Sequence, residues 1–177
     1  MNSNNLEKEK ILTSFKENKF EDVIVEGKKL FKQRQNDAQL IYILGLSSIK
    51  LENFDNAENY FNKLILLNKN AENLYVLGNI QKKLKKFDNA ITSFEEAIKL
   101  NSNFTEAYNN LGSAQKSLNK YKEAIINYKK AISLKKNNPE AHYNLASLYF
   151  LLENYVDAID HYKNIINLEA RNEEICE

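Results

Sequence analysis

The sequence predicts an all-α solenoid of about five helix-turn-helix units, and three observations carry that prediction. The first is self-similarity. Thr105–Asn138, TEAYNNLGSAQKSLNKYKEAIINYKKAISLKKNN, matches 71–104 and 139–172 at a spacing of 34 residues. The span 38–70 fits with one residue fewer, and 4–37 fits loosely. A fixed period in this range marks a solenoid. The second is punctuation: four glycines and one proline in 177 residues argue against strands joined by tight turns and against a flexible linker. The third is composition, 43 % hydrophobic and 28 % charged, as suits a thin array in which every repeat lies near solvent.

The recurring residues identify the unit. In 105–138 they are Tyr108, Leu111, Gly112, Ala124, Tyr128 and Ala131. The copy before supplies Leu74, Leu77, Gly78, Ala90, Phe94 and Ala97, and the copy after supplies His142, Leu145, Ala146, Tyr149, Ala158, Tyr162 and Ile165. Ile41, Leu44, Gly45, Ala57, Phe61 and Leu64 mark the span 38–70, while Phe20, Val23, Leu30 and Phe31 mark the later half of the first copy. This pattern resembles the tetratricopeptide repeat (TPR), with its W-x2-L-G-x2-Y, A-x3-F and later A and P. The Trp is absent throughout, Gly27 stands where an aromatic is expected, and Lys69, Ser102, Lys136 and Ala170 hold the proline position. The resemblance implies a right-handed TPR solenoid, closest in style to the superhelix of O-GlcNAc transferase-like proteins.

In order, the chain divides into a divergent first repeat with a polar leader (1–37), four TPR units (38–70, 71–104, 105–138 and 139–172) and a short acidic tail (173–177). Met1–Asn5 is polar and expected to be disordered. Leu6–Glu17 reads as a helix with Ile11, Leu12 and Phe15 as its apolar stripe, and Phe20–Gln33 as its partner. The following helices are predicted at 39–51 and 54–68, 72–84 and 87–101, 105–118 and 121–135, then 139–152 and 155–169. Asp37 is placed to cap the helix after it, and Pro139 suits a first helical turn. Asn53, Asn119 and Asn154 fall at the intervening turns, where a short polar side chain tolerates left-handed backbone. A helical glycine costs about 1 kcal/mol against Ala, so its recurrence at Gly45, Gly78 and Gly112 requires a packing reason. Close approach of the paired helix, lined by Ala124, Tyr128 and Ala131, supplies it.

No apolar run approaches the roughly 18 residues of a membrane span, and MNSNNLEKEK has no apolar core for a signal peptide. The single Cys176 rules out an internal disulfide and fits a reducing, cytoplasmic location. The net charge of +1 hides an asymmetry: residues 105–138 carry +5 and residues 139–177 carry −6. Solvated faces of differing sign are the plain reading, with steering of partners the alternative.

Helical arithmetic puts Tyr108, Leu111, Gly112 and Gln115 on one side of a first helix, with Asn109, Asn110, Ser113 and Lys116 on the other. In TPR proteins that other stripe lines a concave groove, so the resemblance gives it the binding role. The equivalent positions are Tyr75, Val76, Asn79, Lys82 and Lys83, then Tyr143, Asn144, Ser147, Phe150 and Leu151. Tyr42, Ile43, Leu46 and Ile49 continue the stripe toward the start. Asn110 and Asn144 occupy corresponding positions and are expected to form a short ladder, resembling that of O-GlcNAc transferase. An amide donates and accepts toward an extended peptide without demanding particular side chains. The alternative is that they occupy a solvated face of an Asn-rich chain. The TPR carboxylate clamp is disfavoured, because Tyr75 replaces its first Lys and Glu140 and Asn144 its later cations.

Lys82, Lys83, Lys85, Lys86, Lys116 and Lys120 include no arginine, so a solvated turn is favoured over a nucleic-acid edge. His142 stands at a core position, Asp157 and His161 are spaced as a surface pair, and no metal set converges. Cys176 has no neighbouring base, and no phosphate loop or nucleophile elbow occurs. The expected function is therefore non-catalytic binding of a protein or peptide in the groove, with no cofactor, nucleic acid or membrane. Two alternatives stand beside it: a substrate-recruiting arm associated with a glycosyltransferase or sulfotransferase, and a self-associating scaffold. The latter would use Tyr155, Ile159 and Ile166 of the last repeat as a homodimer surface.

Overall fold

The structure, a computed structural model, describes residues 3–174, with side chains from Leu6 to Leu168. Cys176 and the end of the acidic tail lie outside the described residues. Ten helices and no strand are present among the described residues: α1 Ser3–Lys16, α2 Phe20–Gln33, α3 Ala38–Lys50, α4 Phe54–Leu67, α5 Ala71–Lys83, α6 Phe87–Leu100, α7 Thr105–Ser117, α8 Tyr121–Leu134, α9 Pro139–Leu151 and α10 Tyr155–Glu174. They alternate as first and second helices of five hairpins, which makes the chain an all-α solenoid. Only two ends lie more than one residue from expectation. Helix α1 begins at Ser3 rather than Leu6, since Ser and Asn suit a helix start. Helix α10 continues to Glu174, because nothing after residue 169 is a Gly or Pro that would end it.

Each second helix opens on an aromatic residue: Phe20, Phe54, Phe87, Tyr121 and Tyr155. Each first helix closes in the same way. Asn18, Glu52, Lys85, Asn119 and Glu153 take left-handed backbone with φ between 55° and 60°. In α3 the Glu52 N–H then reaches the Ile49 carbonyl at 3.0 Å and the Asn53 N–H the Ser48 carbonyl at 2.8 Å. That is the Schellman pattern, which satisfies carbonyls left over at a helix end. The same pair of bonds recurs after α1, α5, α7 and α9. Of the three turn asparagines, only Asn119 is itself left-handed. Asn53 and Asn154 sit one residue later, and their side chains accept from the N–H groups of Asn56 and Asp157 at 3.2 and 3.4 Å. There a side-chain oxygen at the helix start is worth more than tolerance of positive φ. Asp37, Asn70 and Asn138 cap α3, α5 and α9 in like manner.

The chain forms two compact units, Met1–Lys86 and Phe87–Glu177. In the first, Ile11, Val23, Leu30, Leu40, Ile43 and Leu44 make one apolar cluster. A second cluster gathers Ile41, Ala57, Phe61, Leu64, Leu77 and Ile80. Lys8 ties α1 to the α3 cap through Asp37 at 2.7 Å. Burial acts to raise the Asp37 pKa, but the hydrogen bonds from Lys8 and the Leu40 N–H, with the charges of Lys8 and Arg34, leave it below the ordinary value. In the second unit Ala124, Tyr128, Leu145, Leu148, Tyr149 and Ala158 form the core.

Gly45 and Gly112 sit where helices of a pair meet. A Cβ built on Gly112 would stand 2.8 Å from Cε1 of Tyr128 and 3.1 Å from the Ala124 carbonyl. One on Gly45 would stand 2.7 Å from the Phe61 ring. Ala124, Ala131, Phe61 and Ala57 are fully buried, and Tyr128 is nearly so. Gly112→Ala is therefore expected to lower stability by about 1–3 kcal/mol, the range for overpacking; a thermal melt no lower than the parent's would refute the contact. Glu52→Gly, which relieves a left-handed residue at the cost of chain entropy, should raise stability by roughly 0.5–1 kcal/mol in the same assay.

Candidate protein-interaction surface

The site residues lie on the first helices, and each unit presents its own set. In the first unit α3 and α5 flank a cavity of about 560 Å³ lined by Leu46, Ile49, Phe54, Val76, Asn79, Ile80, Lys82 and Lys83. Its walls are largely aliphatic, and an amide and two amines stand at the lining. Asn79 and Lys82 thus line a common recess. Tyr42 lies on α3, 41 % exposed, with its ring edge-on to Phe61 at 6.1 Å. Tyr75 is half-buried on α5. Helical arithmetic missed two cavity residues: Ile80, on the core side of α5, and Phe54, which opens α4 rather than lying on a first helix. The signal for Phe54 was in the sequence: an aromatic at the same place in all five hairpins.

In the second unit the polar residues of α7 and α9 are joined to one another. Asn144 donates its amide N–H to Oδ1 of Asn109 at 2.9 Å, and Asn109 donates to Oε1 of Glu140 at 2.9 Å. Asn109 is only 3 % exposed, so its amide is used between helices rather than offered to solvent. Asn144 thus bonds the neighbour of Asn110, its counterpart one repeat earlier, and Asn110 sits half-buried beside that neighbour. The two neighbours point about 100° apart around α7, and the side nearer α9 belongs to Asn109. Ser113 is also half-buried and hydrogen-bonded to the Tyr128 hydroxyl. Burial, and then the negative charge of Glu140, raise the Tyr128 pKa above its ordinary value despite that bond. Lys116 donates to the Ser147 hydroxyl at 2.8 Å. Tyr143 stands 58 % exposed, with its ring edge-on to Tyr162 at 6.2 Å.

Asp157 and His161, expected as a surface pair, each make a close contact with another side chain, and the Asp157 charge still acts on the His161 ring. Asp157 accepts from the Asn154 amide at 2.7 Å, whereas Nδ1 of His161 faces Nδ1 of His142 at 2.9 Å. Nε2 of His142 lies 3.3 Å from the Lys136 carbonyl oxygen. A carbonyl only accepts, so Nε2 of His142 carries a proton, its Nδ1 accepts, and His161 donates through Nδ1. The ring of Tyr149 stacks on His161 at 5.9 Å, and the Lys129 ammonium lies 5.8 Å from the Tyr149 ring centre. Burial chiefly, then the proximity of His142, hold the His161 pKa below its ordinary value; Lys129 adds to this, and Asp157 and Asp160 oppose it.

On α10, Tyr155, Val156, Ile159 and Ile166 are each more than half exposed. Among the described residues no group of three or more His, Cys, Asp or Glu side chains converges on a possible metal position, and no helix is long and apolar enough to cross a membrane.

Comparison with known proteins places this geometry. Models described as tetratricopeptide repeat match residues 38–70 and 139–172, and a model described as TPR repeat matches 78–119 and 116–152. Together these spans cover well over half of the chain. No curated protein matches the sequence. Among solved structures, a crystal structure of MamA superposes with a TM-score of 0.86 at 24 % identity, over 92 % of this chain and 95 % of that one. MamA from Desulfovibrio magneticus RS-1 gives 0.89 at 20 % identity, over 97 % of both chains. YrrB, described as a TPR protein with an unusual peptide-binding site, gives 0.79 at 22 % identity, over 90 % of this chain and 83 % of that one. These likenesses are of fold.

The histidine pair generates a pH prediction. A His whose folded pKa lies below its unfolded value of about 6.5 stabilises the fold fully above that value and loses the contribution as pH falls through the folded pKa. The melting temperature is expected to decline between neutral pH and about pH 5, less so in His161→Phe. In NMR titration His161 should titrate below 6.5; a value at or above it would contradict the burial of its ring against His142. The repeats matched, the glycine–aromatic contacts and the ten paired helices lead to one identification: this chain belongs to the tetratricopeptide repeat family.

Proposed function

We propose that the chain is a non-catalytic protein-interaction module, which takes up a peptide or an extended partner segment along the exposed face of its first helices. The observation that carries this reading is the aliphatic recess between α3 and α5, with Asn79, Lys82 and Lys83 among its lining. A concave apolar surface with a few convergent polar groups is the usual form of a binding site. Asn79 brings a group able to pair with a peptide backbone in either sense. Tyr42 and Tyr75 on the same two helices extend the proposed surface within the first unit, and Asn110, Tyr143 and Asn144 are proposed as a separate surface of the second unit. YrrB, similar in fold, is described as binding peptides, which supports the same use here. Self-association is the second reading, favoured by the exposed Tyr155, Val156, Ile159 and Ile166 of α10.

The test is selection of displayed random peptides on the intact chain, followed by titration of the selected peptides against variants. Val76→Glu puts a charge into the recess and Asn79→Ala removes its amide; each is expected to weaken binding by about tenfold or more, with circular dichroism checking that each variant is folded at the assay temperature. Peptides that bind both variants as tightly as the parent would refute the assignment.

A further inference from the structure

Three lysines that cross to another helix or its cap end on an acid. Lys8 reaches Asp37, Lys86 reaches Glu58 and Lys120 reaches Asp88, at 2.7, 2.6 and 3.5 Å. Lys116 does not. Its ammonium crosses from the last turn of α7 to α9 and meets a neutral partner, the Ser147 hydroxyl at 2.8 Å. No described carboxylate forms an ion pair with it. The side chain is half-buried, and burial alone moves its pKa below the ordinary value of 10.5. An ammonium carries three donors, and a partly desolvated charge without a counterion is costly. An arriving anion would offset that cost. The surroundings restrict which anion. On α9, Tyr143 lies one turn before Ser147, and Phe150 and Leu151 one turn after; these three are 58 %, 61 % and 54 % exposed. The charge is thus flanked by apolar surface on both sides.

We propose that Lys116 and Ser147 form a carboxylate-binding subsite, and that it selects a partner segment in which an Asp or Glu side chain lies between apolar residues. The inference rests on the peptide-binding reading above and names the partner's chemistry. Ser147 would orient the carboxylate, donating its own O–H while Lys116 donates alongside. A side-chain carboxylate fits better than a free chain terminus. Capture of a terminus calls for several converging donors, but Asn144 and Asn109 are engaged with each other, and the negative Glu140 lies on the same face of α9, two turns before Ser147. The residues differ from those of the TPR carboxylate clamp, whose later cations are replaced here by Glu140 and Asn144.

Random peptides displayed on phage would be selected in parallel on the intact parent chain, Lys116→Gln and Lys116→Arg. Selected peptides would then be titrated by fluorescence anisotropy as synthesised, with the acidic residue changed to its amide, and with an amidated C-terminus. The parent should enrich peptides with one Asp or Glu among apolar residues. Lys116→Gln is expected to bind them about tenfold more weakly, the peptide amide variant should lose the same factor, and the two losses should not add. Lys116→Arg, which keeps the charge, should retain most of the affinity, and amidation of the C-terminus should change little. Enrichment without acidic residues, or Lys116→Gln binding like the parent, overturns the subsite. Loss on amidation instead points to a free terminus and overturns the side-chain assignment. Peptides that survive Lys116→Gln but fail on Val76→Glu remove the subsite and leave the peptide-binding module standing. No enrichment on the parent overturns both.

Discussion

The hairpins of α3 with α4 and of α7 with α8 depend on an aromatic ring laid against a helix where no side chain stands in the way. The Phe61 ring comes within 2.7 Å of the place a Cβ would occupy on Gly45, and the Tyr128 ring within 2.8 Å of that place on Gly112. The contact does two things at once. It lets the first helix descend onto the second, and it supplies a large apolar face that excludes water from the seam. Interiors are packed nearly as densely as organic crystals, so the loss of even one such vacancy propagates. The alanines at 57, 124 and 131, all without exposure, allow the same approach from the other helix. In the first hairpin the glycine faces a neighbouring helix instead, with Leu44 of α3 2.7 Å from a Cβ on Gly27. This is why that repeat departs from the pattern while still packing.

Once the helices of a pair are drawn together, their ends must be satisfied in little space. The Schellman bonds that follow α1, α3, α5, α7 and α9 do so without glycine. Glu52, Lys85 and Glu153 accept left-handed backbone there, at an intrinsic cost of about 1–2 kcal/mol each. The turn is retained because the next residue opens the second helix in a set direction, with an aromatic in its first turn. In two turns that next residue is an asparagine, whose side chain accepts from the N–H three residues on. Turn chemistry and packing thus support one outcome at every period, as expected of a chain that stacks without ambiguity.

The faces left over by packing carry the polar chemistry. Close approach of α7 and α9 draws Asn144, Asn109 and Glu140 into a relay of two hydrogen bonds, each 2.9 Å long. The same approach brings Lys116 onto Ser147 and buries part of its charge. Where α3 and α5 stand apart, aliphatic side chains line a recess instead. A common scaffold therefore yields two differing surfaces, one aliphatic and one of amides with a lysine. The positions are equivalent, and only the residue types differ: Val76 stands where Asn110 and Asn144 stand in later repeats.

Residue types at a period of 34 determined the fold class, the helix pairs and the reason for the glycines, because local propensity and packing demand the same residue at each recurrence. The stripe facing away from the core could also be read from the helical angle. What the sequence did not decide is how neighbours within that stripe divide their work. Asn109 and Asn110 are one residue apart and chemically identical, yet Asn109 bonds Asn144 and Glu140 and is buried. That outcome follows from where α9 lies, a matter of helix packing. His161 likewise has an acid four residues earlier on its own helix, and its ring nevertheless faces His142 on α9. Spacing along one helix determines which side chains are neighbours in it; only the tertiary structure brings a second helix to compete for them.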